Sequence, residues 1–456
     1  MRGQMPGPVI PGIANDPRSS QGRRGDGMGT GMNAQQPSRG QHLVTADRAF
    51  VKGAGLISRW LAPGFRHIVD RIDAGLTEGA IDAILPDGTS RRLGARAPGP
   101  IAIVELRSWN AIVRLITAGS VGWFRAWMEG EWASPDPVPL FDLFMRNRAS
   151  LGGVARAKGF ARLLNRLAHG CRRNSRAGAR RNIEFHYDLG NDFYAAWLDA
   201  TMSYSSALFA EPIATAEPLE AAQTRKVHAL LDRLALRPGQ RLLEIGCGWG
   251  GLAEIAARDY GVEVVGITLS PEQKRFAEQR LAAAGVADRV RFELRDYRDV
   301  QERFDAVASV EMVEAVGERY WRDYMEAIER ALKPGGRAAI QFISIADDVY
   351  ERYAESADFI QTYIFPGGML ISEYRFEAAA RAAGLGWGGR RGFGLHYAET
   401  LRRWLDRFDA AREDGRLPVG FDERFIQLWR YYLMYCEGGF RGGGIDVAQV
   451  TLSKAS

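Results

Sequence analysis

The chain has 456 residues, 46% of them hydrophobic, which is enough for a large core and predicts two or three domains. No apolar run approaches the roughly 20 residues that span a bilayer, and Arg2 is not followed by the apolar stretch of about 7–15 residues that marks a signal peptide. Cys171, Cys247 and Cys436 lie far apart with no CxxC pair or Cys/His cluster. That excludes a sequence-legible metal site and fits a reducing cytoplasm. The net charge is +5, but it is concentrated: Leu151 to Ile183 holds nine Arg or Lys and no Asp or Glu. No nucleic-acid motif accompanies that charge, so nucleic acid is not an expected partner.

Residues 1–45 are rich in Gly, Pro, Gln, Arg and Met and read as a disordered tail. A basic tail touching anionic lipid is the functional alternative. Residues 46–150 read as a small α+β domain. Arg48 to Trp60 has a helical pattern, and Gly79 to Leu85 alternates like a strand. Pro86-Asp87-Gly88 is a turn signal and Ser90 to Leu93 returns, which predicts a hairpin. Ile101 to Leu106 is a further strand and Trp109 to Ile116 a helix. A Trp-rich stretch with Trp123 and Trp127 follows. These aromatics read as core, or as a surface that receives lipid.

Residues 151–183 form a basic linker. Phe160, Leu163, Leu164 and Leu167 share one helix face, while Arg156, Arg162, Arg166 and Arg173 fall largely elsewhere. Such a basic amphipathic helix either lies on a membrane surface or packs between domains. From 184 to 456, strands near 241–245, 263–267, 289–294, 304–310 and 336–343 alternate with helices. This is the rhythm of a parallel, doubly wound α/β sheet. Residues 344–372, with the turn Phe365-Pro366-Gly367-Gly368, read as an irregular cap over the site. Helices over 399–413 and 421–436 and a last strand over 445–452 complete the chain.

The stretch Arg241-Leu-Leu-Glu244-Ile-Gly246-Cys247-Gly248-Trp249-Gly250-Gly251 carries the first chemistry. A short apolar strand runs into a glycine turn and a helix start, which suits a ligand held over the helix N-terminus. Alone, Gly-x-Gly-x-Gly is a weak signal. Its neighbours narrow the choice: Glu244 precedes the first glycine, the second strand ends in Thr268-Leu-Ser270-Pro-Glu-Gln273, and the third ends in Arg295-Asp296-Tyr297. The pattern resembles a class I S-adenosylmethionine (AdoMet) methyltransferase with its Rossmann-like sheet. In that reading Gly246, Gly248 and Gly250 cradle the methionine part, and Thr268, Ser270 and Gln273 hold the ribose. Asp296, beside Tyr297, accepts from the adenine amino group or else caps a helix. Cys247, inside the turn, lines the same pocket.

Further motifs sharpen this. They are Asn182-Ile-Glu-Phe-His186-Tyr187-Asp188, Met202-Ser-Tyr204-Ser205-Ser206-Ala, Val310-Glu311-Met-Val-Glu314-Ala315-Val-Gly317 and Tyr363-Ile-Phe-Pro-Gly-Gly. Together, over residues 182–449, they resemble the cyclopropane-fatty-acyl-phospholipid synthase family. The resemblance implies methyl transfer to the double bond of an unsaturated fatty acyl chain in a membrane phospholipid, giving a cyclopropane ring. It implies AdoMet as cofactor, with Tyr187, Tyr204, Ser205 and Glu244 around its methionine end. It also implies a bound bicarbonate as base, held by Glu314, Gln341, Ser206, Ile343 and Tyr397. A cytoplasmic enzyme docked on the anionic inner face of the cell membrane, and a homodimer, are implied in the same way. Methylating an alkene makes a carbocation, so such a site needs a dry channel, aromatic faces and a shielded base. Tyr363, Phe365, Trp404 and Trp429 are candidates for the acyl route, or for core.

Three positions depart from the family pattern: Ser206 replaces a usual Cys, Gln341 a usual His, and Ala315 the His of Glu-His-Val-Gly. They resemble a branch whose product is a methylene or methyl branch. A soluble acceptor, or cofactor binding without turnover, are the remaining alternatives. His186 reads as packing or hydrogen bonding, and the role of His396 is open.

Overall fold

The computed structural model describes residues 39–46, 62–152, 189–214, 216–355 and 358–456. The expected tail up to residue 38, the helix expected over 48–60, almost all of the basic linker, Cys171, His186 and Tyr187 lie outside the described residues. Residues Ser38–Ser456 form one unit.

The expected tail ends earlier than residue 45. Gln41–Val44 is a helical turn, and Leu43 is fully buried in the main core. Arg39 pairs with Asp192 at 2.7 Å, and its guanidinium lies 4.7 Å from the centre of the Phe421 ring. A Gly- and Arg-rich composition hid this because two side chains supply the anchoring.

The small sheet has β1 (Ala80–Ile84), β2 (Ser90–Gly94), β3 (Ile101–Leu106) and β4 (Trp132–Ala133), in the order β2-β1-β3-β4. Gly88, with φ 82°, makes the expected hairpin turn. Along β3 the odd and even residues face opposite ways: Ala102, Val104 and Leu106 are buried, whereas Ile101 and Ile103 are exposed. The helix expected at 109–116 runs over Asn110–Met128 and bends at Gly119. It thereby carries Trp123 into the core, stacked on Trp132 at 4.5 Å.

The large sheet has β5 (Arg241–Ile245), β6 (Glu263–Thr268), β7 (Val290–Leu294), β8 (Phe304–Val310), β9 (Leu332–Ile345), β10 (Leu385–Gly392) and β11 (Ile445–Lys454). Their order is β10-β11-β9-β8-β5-β6-β7. The five strands expected from the rhythm are mutually parallel. The last two correct the all-parallel expectation: β11 runs antiparallel to β9, and β10 antiparallel to β11. β10 was not foreseen, because Gly386, Gly388, Gly389 and Gly392 give it little strand propensity. It survives as an edge strand with an irregular register between Gly388 and Arg391.

The stretch 344–372 is also more regular than expected. It contains a helix, Asp347–Ala354, and a π-helical turn, Ile360–Ile364. Long helices Gly394–Glu413 and Glu423–Arg441 follow and bury Trp404 and Trp429 completely. Phe124 from the small-sheet region lies 4.7 Å from Phe359 and from Tyr363 and 4.9 Å from Tyr431, so this region shares one hydrophobic cluster with the cap turn and the last long helix.

Candidate active site

Chain order turns back at β5. From it the chain builds outward through β6 and β7, then returns to lay β8 on the other side. Such a reversal leaves a crevice at the carboxyl ends of the strands, where ligands of open α/β sheets bind. A cavity of about 570 Å³ opens there.

The glycine turn forms one wall. Gly246 and Gly250 both have φ 82° and Gly248 has φ 50°, conformations that L side chains rarely adopt. A Cβ on Gly246 would meet the Met312 side chain at 2.5 Å. Glu244 is buried beside the turn, and its Oε2 has no hydrogen-bond partner. Burial pushes its carboxyl up to about 8, against the pull of Lys226. An unpartnered buried carboxyl next to a glycine cradle fits the ammonium end of AdoMet, which would supply donors and favour its ionised form.

Among the other expected cofactor residues, Tyr204, Ser205, Thr268, Gln273, Asp296 and Tyr297 line the cavity, as do Gly246, Gly248 and Cys247. Thr268 Oγ1 donates to Gln273 Oε1 at 2.9 Å and accepts from the Ser270 backbone at 3.1 Å. Ser270 itself caps the helix Pro271–Ala283 by accepting from the Gln273 N–H. Ser270 and Gly250 stand behind the lining. Asp296 lines the cavity while its carboxylate grips Arg298 at 2.6 and 2.8 Å and caps a short 3-10 turn. The capping alternative for Asp296 is thus observed, with both carboxylate oxygens engaged by Arg298. Tyr204 donates to or accepts from Tyr432 at 2.8 Å and packs against Trp197 and Trp404.

The residues expected to hold bicarbonate do come together, but around a protein carboxylate. The Ser206 backbone N–H donates to Glu311 Oε1 at 3.0 Å and Gln341 Nε2 donates to the same oxygen at 2.9 Å. The Tyr397 hydroxyl donates to Glu311 Oε2 at 2.8 Å. The Ile343 N–H is taken by Glu314 Oε1. All four donors are thus spent on two glutamates, which does not fit the expected bicarbonate. Glu311 was missed as a site residue. The legible signal was a second carboxylate, three residues before Glu314 at the end of a strand. What no pattern shows is its backbone, held at φ 51° with its N–H donating to the Gln341 carbonyl at 2.8 Å. A glutamate in that region is uncommon and costs roughly 1–3 kcal/mol, which the surrounding bonds must offset.

The electrostatics separate the two glutamates. Burial raises both carboxyls, and Glu314 reaches about 8 with the added repulsion of Glu311. Glu311 has three donors and the attraction of Lys226 to hold its charge, whereas Glu314 Oε2 has no partner. Glu311 is therefore the member better able to hold a charge, and Glu314 the one better able to hold a proton. Lys226 is buried and donates to Ser205 Oγ at 2.6 Å. Burial pulls its ammonium down to about 8, while Glu311, Asp199 and Glu244 hold it up.

Gln341 is not a lining residue. It is fully buried behind Glu311, and Gln449 fixes its amide by donating to Oε1 at 3.1 Å. Of the aromatics expected along an acyl route, Phe365 lines the cavity. Tyr363, Trp404 and Trp429 are core. Tyr397, Tyr431, Tyr432 and Phe440 supply aromatic faces instead. His396 accepts from the Phe209 N–H at 3.0 Å and meets Glu211 at 3.1 Å, so it is a buried structural side chain.

Comparison with known proteins agrees with this geometry. The family model for mycolic acid cyclopropane synthetase matches residues 174–450. Tuberculostearic acid methyltransferase UfaA1 of Mycobacterium tuberculosis is 40% identical over 375 residues, covering 81% of this chain and 86% of that protein. Cyclopropane-fatty-acyl-phospholipid synthase of Escherichia coli strain K12 is 33% identical over 368 residues, covering 77% and 88%. The crystal structure of mycolic acid cyclopropane synthase CmaA1 complexed with SAH and CTAB has a TM-score of 0.56 and 31% identity, covering 60% of this chain and 98% of that one. A match extending from just before the first site motif into the last strand, carried by the same sheet, shows that the chain belongs to the mycolic acid cyclopropane synthetase family and is an AdoMet-dependent C-methyltransferase.

Proposed function

We propose that this enzyme methylates the double bond of an unsaturated fatty acyl chain of a membrane phospholipid, and that Glu311 is the base in place of bicarbonate. The product is a methylene-branched chain rather than a ring. The convergence of Ser206, Gln341 and Tyr397 on the Glu311 carboxylate carries this reading. When bound, AdoMet supplies an electrophilic methyl, and its addition to the alkene leaves a carbocation on the chain. Tyr397, Tyr432 and Phe440 present aromatic faces to the cavity. A desolvated face of this kind stabilises a cation by about 2 kcal/mol. Glu311 can then take a proton from the added methyl.

Ring closure and methylene formation lose that same proton, but the methylene route first needs a hydride shift onto the neighbouring carbon. A carboxylate anchored by three hydrogen bonds cannot follow the moving methyl as a small bound ion can, which gives the shift time. The relative named for tuberculostearic acid, 40% identical where the other two are 33% and 31%, supports an open-chain product. The relative named as a cyclopropane synthase supports the ring as the second reading.

Purified protein given labelled AdoMet and dioleoylphosphatidylglycerol in mixed micelles should add one CH₂ to the oleoyl chain. The new chain should still take up hydrogen. A CH₂ gain with no remaining alkene would restore the ring reading, and no gain on any unsaturated lipid would overturn acyl methylation. Glu311→Gln should bind AdoMet normally and lose about 10²–10⁴-fold in kcat, the usual range for a general base.

A further inference from the structure

The cavity has a second polar region that methyl transfer does not use. Arg148 follows the helix Val138–Arg146, Arg352 lies in the helix Asp347–Ala354, and both line the cavity. Asp348 joins them: Arg148 Nε donates to its carboxylate at 3.3 Å, and Arg352 Nη2 donates to its backbone carbonyl at 2.8 Å. Among the described residues Arg352 has no carboxylate partner, and its Nε is buried without any hydrogen bond. An unsatisfied buried N–H on a charged group is costly, so the site is built for an acceptor it does not contain. The Arg148 side chain is 27% exposed, which places the pair where the cavity meets solvent.

The route inward is apolar. Leu115, Phe144, Ile345 and Val349 line it. Strand β9 measures its length: Gln341 touches Glu311 and Ile345 lies four residues on, about 13 Å at a strand's rise. The helix bearing Asp348 and Arg352 begins just beyond. A run of methylenes spans such a distance, with a charged group at one end and a reacting carbon at the other. Guanidinium pairs match phosphate oxygens in geometry and charge.

We propose that Arg148 and Arg352 bind the phosphate ester of the acyl-bearing substrate and aim its chain at Glu311. The inference rests on the acyl-methylation reading above. The test compares wild type, Arg148→Gln, Arg352→Gln and Asp348→Asn on three substrates: dioleoylphosphatidylglycerol, the phosphate-free dioleoylglycerol, and oleoyl-coenzyme A. The arginine variants should raise KM for a phosphorylated substrate about tenfold and keep kcat within about twofold, the pattern of lost ground-state binding. Their turnover of dioleoylglycerol should match wild type. Asp348→Asn weakens the Arg148 ion pair but leaves both cations and the backbone bond to Arg352, so it should not raise KM.

An arginine effect confined to the phosphatidylglycerol arm identifies the lipid headgroup as the phosphate source. An effect confined to oleoyl-coenzyme A identifies a soluble thioester carrier. Equal losses on dioleoylglycerol, an Asp348→Asn variant that mimics the arginine variants, or no KM change would overturn the site while acyl methylation stands. Wild-type inactivity on all three substrates would instead overturn the acyl reading itself, and this site with it.

Discussion

Glu311 and Glu314 show how two like residues three apart acquire different roles. Glu311 has three donors that favour its charged form; Glu314 has one backbone donor and an unpartnered Oε2, and burial favours its protonated form. The second state has a measurable consequence. Glu314 is raised to about 8 in the folded protein, above its ordinary 4.5. Between those values the native state binds a proton that the unfolded chain releases, so its stability is full below pH 4.5 and falls as pH rises toward 8. Glu314→Gln removes that titration. The melting-temperature gain of the variant over wild type should therefore be larger at pH 8 than at pH 5, both measured without AdoMet. An equal difference at the two pH values would show that Glu314 does not titrate in this window. At this scale Glu314, Tyr397 and Gln341 were legible as a group, because the motif order places them. Glu311 was not, because its role depends on a left-handed backbone and on donors from distant strands.

The strand–turn–helix unit of β5, the glycine turn and the helix Gly251–Asp259 is the element most completely readable from sequence. Its glycines fall within one short stretch, residues 246–251, and the need of Gly246, Gly248 and Gly250 for positive φ is local. Gly246→Ala tests the element. The methyl group would sit in a left-handed conformation that costs about 1–2 kcal/mol for an L residue. It would also press on Met312 at 2.5 Å. We expect an AdoMet Kd raised about tenfold or more, since 1.4 kcal/mol is a factor of ten, with the far-UV circular dichroism of wild type. Unchanged affinity would place AdoMet away from this turn. Elements without a local signature fared worse. β10 is glycine-rich and is a strand because β11 offers it a partner. The cap helix Asp347–Ala354 was masked by a stretch that reads as irregular.

Across the whole molecule, the small sheet shares a core with the cap turn and the long C-terminal helices, while most strands of the large sheet pack into two further clusters. Phe124 meets Phe359, Tyr363 and Tyr431 in one aromatic cluster. We expect a single calorimetric transition for the intact chain. Phe124→Ala should lower it as one transition, with a cost of about 3–5 kcal/mol typical of a buried aromatic. Two resolved transitions would show the small sheet melting alone. Among the described residues no helix is long and apolar enough to cross a membrane.

The five parallel strands of the Rossmann-like sheet, the glycine turn and the family are legible in the chain alone, because each is encoded in nearby residues whose conformational needs are local. Which carboxylate the donors Ser206, Gln341 and Tyr397 serve is set by packing alone. Ser206, Gln341 and Tyr397 come from three separate elements, and their common target is fixed by packing and by the fold of β8, which no stretch of sequence contains. The same holds for Arg148 and Arg352, which share a cavity only because the small-sheet region and the cap close against each other.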